Sequence, residues 1–179
     1  MQAKNKTNAS APEALATLVD ERWGDTFAYD ASTSRTYTYG EFFSAAQNAA
    51  EKMEELGVEQ DETVCMVVNN SIDTLILYMG NLLRGARIAL IDPLKGVQDI
   101  QIILDQIAYK TVIADEPSAA YGRSFVPSSI IRDAMTTKRT SKEIKDVCSR
   151  IDADKVFLIT FTSGSTGTPK GVMHSLNNV

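Results

Sequence analysis

Lys170 closes a stretch in which every other residue is a glycine, a hydroxyl or a proline: Thr162-Ser163-Gly164-Ser165-Thr166-Gly167-Thr168-Pro169-Lys170-Gly171. Gly164, Gly167 and Gly171 admit positive φ and let the backbone approach a ligand closely. Ser163, Ser165 and Thr166 set hydroxyl donors beside exposed N–H groups, and such clusters form concave anion-binding nests. Lys170 adds a full positive charge, and Pro169 stiffens its presentation. Hydrogen bonds involving a charged group contribute about 1.5–3 kcal/mol each, so several acting together hold a polyphosphate. Two other readings compete, a plain glycine- and serine-rich turn and a Walker loop. The Walker loop requires G-x-x-x-x-G-K-[ST] at the start of a helix. Here Pro169 stands between Gly167 and Lys170, glycine follows the lysine, and the apolar Val-Met-His beyond it reads as a strand.

Other chemistry-bearing residues are sparse. His174 is the single histidine, and its place just past the loop suits either a contact with substrate or phosphate or a structural role at a strand end. The aspartates and glutamates show no pairing that would serve as general acid and base.

The elements that must hold the loop follow from periodicity. Residues 1–11 read as a disordered lead, and Pro12 starts an amphipathic helix bearing Leu15, Leu18, Val19 and Trp23, ended by Gly24. Residues 26–40, TFAYDASTSRTYTYG, alternate aromatic and polar side chains about a turn-prone centre and predict a β-hairpin. Thr38 and Glu41 form a capping box ahead of a helix striped by Phe42, Ala46, Ala49, Met53 and Leu56, with Gly57 following. Strands are then expected at 63–68, 86–91 and 111–114. Between them lie a helix capped by Ser71 and closed by Gly85, and a helix carrying Val97, Ile100, Ile103, Leu104 and Ile107. A short strand within 121–127, helices at 129–135 and 141–149, and a strong strand at 155–161 complete the pattern. The final SLNNV reads as the first turn of another helix. Near-continuous apolar strands alternating with helices predict an α/β fold, a largely parallel sheet flanked by helices.

Composition narrows the function classes. The 179 residues suit one domain, or one domain and the start of another. Apolar residues make up 44% and charged residues 23%, as in ordinary globular proteins. A net charge of -5 argues against non-specific binding to nucleic acid or anionic membrane. The basic run from Lys138 to Lys145 is interrupted by Glu143 and reads as a solvated helix face. No run of 18 apolar residues occurs, so no transmembrane segment is expected. The polar N-terminus lacks the apolar core of a signal peptide, so Cys65 and Cys148 are expected as reduced thiols in a cytoplasmic protein.

The decapeptide TSGSTGTPKG as a whole resembles the phosphate-binding signature of the adenylate-forming superfamily, which includes acyl-CoA synthetases, peptide-synthetase adenylation domains and luciferases. YTYGEF (37–42) resembles an early stretch of that family that opens a helix, and LLRGARIALIDP (82–93) its glycine- and proline-marked strand segment. The resemblance runs over residues 12–179 and implies that the loop holds the β- and γ-phosphates of ATP while a carboxylate attacks the α-phosphorus. On that basis Thr162, Ser163, Gly164, Ser165, Thr166 and Gly167 would cradle phosphate, and Lys170 would offset charge on the departing pyrophosphate. Thr166 would reach Mg²⁺, and His174 is the candidate substrate contact. The family's acyl-pocket segment, adenine and ribose contacts and C-terminal catalytic lysine have no counterpart here, and Lys170 is not that lysine. The implied protein is therefore the N-terminal portion of an acid–thiol ligase, inactive by itself. Its partners would be ATP, a carboxylic acid and either CoA, as in fatty-acid activation, or a carrier-protein thiol. A stand-alone nucleotide- or partner-binding module is the alternative, and the open flank of a truncated sheet favours self-association.

Overall fold

The computed structural model describes residues 9–131, 137–162 and 169–178. The chain begins with α1 (Ala11–Glu21), followed by the hairpin of β1 (Thr26–Asp30) and β2 (Arg35–Thr38). Next come α2 (Tyr39–Glu55), β3 (Thr63–Val67), α3 (Ile72–Arg84), β4 (Arg87–Leu90), α4 (Val97–Leu104) and β5 (Thr111–Ala114). After a 3₁₀ segment (Ala119–Ser124) lie β6 (Phe125–Pro127), α5 (Ser141–Cys148), β7 (Val156–Thr162) and β8 (Lys170–Ser175).

Local chemistry starts three of the helices in the same way. The hydroxyls of Ser10, Thr38 and Thr140 accept the backbone N–H of Glu13, Glu41 and Glu143, and each glutamate accepts the cap's own N–H in return. Two orphan helix-end donors are thereby satisfied at every box. Ser71 caps α3 by accepting from Thr74, and Gly85 ends it in the left-handed region at φ 76°. A side chain there would be strained, so the glycine sets the point at which the helix stops.

Six strands form one sheet in the order β6-β5-β3-β4-β7-β8. The first five run parallel, and β8 returns antiparallel to β7. The β1–β2 hairpin forms a separate two-stranded sheet. Alternation along β3 divides the core: Val64 and Met66 pack with residues of α1, α2, α3 and α5, while Cys65 and Val67 pack with Ile100, Ile103 and Leu104 of α4. Both faces of the central strands are covered, which is why they read as unbroken apolar runs. Gly80 lets α3 approach α2 closely, since a Cβ there would lie 2.8 Å from the Ala49 Cβ and 2.9 Å from the Ala46 carbonyl.

Two local expectations come out differently. Within the stretch expected as a helix at 129–135, a 3₁₀ turn spans Ser128–Ile131, and residues 132–136 lie outside the described residues. Ser128 is pinned there because its hydroxyl donates to Asp115 at 2.7 Å. At the chain's end, Leu176 and Asn177 form a turn rather than the start of a helix. Asn177 is drawn back to the 152–154 turn, its amide nitrogen donating to the Asp154 carboxylate at 2.6 Å and its N–H to the Ala153 carbonyl at 3.2 Å.

Candidate functional site

The glycine- and hydroxyl-rich decapeptide joins β7 to β8. Thr162 pairs with Lys170, and the Thr162 hydroxyl donates to the Lys170 carbonyl at 3.4 Å. Ser163, Gly164, Ser165, Thr166 and Gly167 lie outside the described residues, so the structure places the two ends of the loop and brings them together. Lys170 is exposed and makes no ion pair among the described residues, which leaves its charge available beside the loop.

The parallel sheet decides where the ends of the loop sit. Leu90 of β4 pairs with Thr160 of β7, and Met66 of β3 with Leu90. Thr162 therefore ends its strand at the same carboxyl rim as the segments that follow β3, β4 and β5: Asn69-Asn70, Asp92-Pro93 and Asp115. Open parallel α/β sheets bind ligands at that rim. Asp115 ties part of it together, accepting from the Asn69 backbone and side-chain nitrogens at 2.8 Å each and from Ser128 at 2.7 Å. Thr74 adds a bond to the Asn69 carbonyl at 2.5 Å. The sequence reading missed this network. The available signal was a carboxylate directly after the apolar strand Thr-Val-Ile-Ala, at the end where such sheets bind.

His174 lies lower on the hairpin. It pairs with Leu158 and lies four residues after Lys170, which starts the strand, or roughly 13 Å along β8. Its Nε2 lies 3.0 Å from the Thr160 hydroxyl, a cross-strand partner that holds the half-buried ring. The two thiols are chemically quiet, for burial pushes Cys65 up to about 12 and Cys148 up to about 11. Among the described residues no three His, Cys, Asp or Glu side chains converge to hold a metal ion. Thr166, the residue expected at Mg²⁺, lies outside them. No helix among the described residues is long and apolar enough to cross a membrane.

A mostly parallel sheet with helices on both faces, and with the two ends of a glycine-rich loop paired at its carboxyl rim, is the architecture of a ligand-binding α/β domain. The chain belongs to the AMP-binding enzyme family, whose pattern matches residues 16–179. Malpinin synthetase of Mortierella alpina is 27% identical over 168 residues, covering 92% of this chain and 2% of that protein. The 2-succinylbenzoate–CoA ligase of Geobacillus kaustophilus is 28% identical over 148 residues, covering 80% of this chain and 29% of the ligase. Among solved structures, the N-terminal subdomain of Klebsiella oxytoca NpsA in complex with 3-hydroxybenzoyl-AMSN superposes with a TM-score of 0.72 at 21% identity. That match covers 93% of this chain and 41% of the other. The chain thus spans less than a third of these two curated relatives.

Proposed function

We propose that this chain is the phosphate-gripping N-terminal portion of an ATP-dependent, AMP-forming ligase that activates a carboxylic acid as its acyl-adenylate and passes it to a thiol. The observation that carries this reading is the pairing of Thr162 with Lys170, which brings the two ends of the decapeptide together at the carboxyl rim of the sheet. In the proposed site Thr162, Ser163, Gly164, Ser165, Thr166 and Gly167 hold the outer phosphates of ATP through backbone and hydroxyl donors. Lys170 supplies the charge that offsets the leaving pyrophosphate. Fixed charge aimed at the departing group is the main contribution a protein makes to such a transfer. Mg²⁺, when bound, neutralises phosphate charge. Of this chain's residues, Thr166 is the one that would hold it. His174, bonded to Thr160 one strand over, is assigned to the substrate side of the hairpin.

The similarity to a CoA ligase supports CoA as the thiol acceptor. The similarity to a peptide synthetase supports a second reading, an adenylation domain serving a carrier-protein thiol. The test is ATP–pyrophosphate exchange by the longest natural protein that contains this chain, over a panel of carboxylic acids. Acid-dependent exchange is expected, lowered about a hundredfold by Lys170→Ala. CoA against a pantetheinylated carrier then separates the two acceptors. The 179-residue chain alone is expected to give no turnover, since it spans less than a third of the ligase and the synthetase it resembles. Absence of exchange with every acid would refute the ligase reading.

A further inference from the structure

A crevice of about 420 Å³ opens between the carboxyl ends of β3 and β4. Its cause is topological. The chain leaves β3 for α3 on one face of the sheet and leaves β4 for α4 on the other, so the two connections diverge. That is the switch point at which open α/β sheets take their ligands. The buried floor is apolar, with Met66, Val68 and Ile91 in it, and the exposed rim mixes the polar Asn69, Asn70 and Asp92 with Leu94. No lysine or arginine lines it among the described residues.

The rim groups differ in what they have left to offer. Asn69 is committed to Asp115, and Thr74 to the Asn69 carbonyl. Asp92 uses one carboxylate oxygen to accept the Leu94 N–H at 2.9 Å, and its other oxygen carries no bond among the described residues. The Asn70 carboxamide likewise makes no hydrogen bond there. One fixed anionic acceptor and one amide donor over an apolar floor match a neutral carboxamide on an apolar body. The ligand N–H₂ would donate to Asp92, and its carbonyl would accept from Asn70 Nδ2. A carboxylate of the same shape would meet the Asp92 charge with no cation to offset it.

We infer that this crevice is a binding site for small apolar-bodied primary amides that excludes the corresponding acids. The inference goes beyond the ligase reading and stands without it, since the loop and ATP take no part in it.

Amide-resolved NMR titration of the chain with benzamide, benzoate and toluene tests it. Benzamide is expected to give saturable shifts at Asn69–Thr74 and Leu90–Leu94, with benzoate and toluene at least about tenfold weaker. Asn70→Ala should weaken benzamide about five- to tenfold. Asp92→Asn removes the repulsion and should bring benzoate to within about threefold of benzamide. Both residues are exposed, so the fold should survive either change, and unaltered spectra elsewhere confirm that. Equal binding of benzoate and benzamide to the unmodified chain, shifts centred elsewhere, or no saturation with benzamide would each overturn the inference.

Discussion

Cys65 and Cys148 occupy the two separate cores, one on each face of the sheet, and each is fully buried. A thiol reacts as its thiolate, and burial raises the cost of that anion. At about pH 8 both thiols should modify slowly in the native protein and rapidly in denaturant, as followed by a chromogenic disulfide reagent. A thiol that reacts at once in the native protein would contradict the burial. Lys170 presents the opposite case. Its charge stays in water, so it is available to a ligand and contributes little to stability. The Lys170→Ala chain should keep its thermal midpoint, and so its effect on nucleotide chemistry is cleanly readable.

At the scale of elements, the α2–α3 crossing depends on the absence of a side chain at Gly80, where a Cβ would press on Ala49 and on the Ala46 backbone. Gly80→Val should destabilise by about 1–3 kcal/mol in urea unfolding, with a lower midpoint and an unchanged slope. A second element contact is electrostatic. Lys145 of α5 donates to Asp20 of α1 at 2.7 Å. That bond holds the Asp20 carboxyl below its ordinary value and the Lys145 ammonium above its own. The lowered acid contributes stability that is present above its unfolded value and lost as pH falls through the native one. The raised base contributes stability present below its unfolded value and lost as pH rises through the native one. The pair is therefore fully formed between about pH 4 and about pH 10. Both groups are exposed, so the effect is small. Lys145→Ala should lower the thermal midpoint slightly at neutral pH, and the two proteins should converge as the medium is acidified. A gap that widens toward acid would show that the bond has been misassigned.

For the whole molecule, the most consequential surface is the outer edge of β8. Among the described residues it is the last strand of the sheet, pairs only with β7 and exposes Val172 and Met173. An unprotected edge strand with apolar side chains is a template for pairing with another chain. Sedimentation should show concentration-dependent self-association of the chain, reduced by Val172→Lys or Met173→Lys. A strict monomer at every concentration would remove this expectation. At the same scale the sheet order puts β4 beside β7 although α4, β5, β6 and α5 intervene in sequence. That crossover brings Thr162 and Lys170, the ends of the loop, to the same rim as the Asn69 and Asp92 segments.

Much of this was readable in the residues themselves. The Thr38–Glu41 box, the Ser71 cap, the Gly85 stop and the alternation of apolar strands with striped helices are local patterns, fixed by interactions within a few residues. The decapeptide likewise stands out by composition and order alone, and its anion-binding role belongs to the proposed function. The sequence could not show which strands become neighbours, because β3 pairs with both β4 and β5 through contacts that cross whole helices. Nor could it show that Asp115 reaches back 46 residues to Asn69, or that Asn177 folds onto Asp154. The sequence by itself determined the elements, since they depend on short-range backbone and side-chain preferences. Only the tertiary structure decided the rim, the crevice beside it and the place of His174, because burying both sheet faces selects the strand order that assembles them.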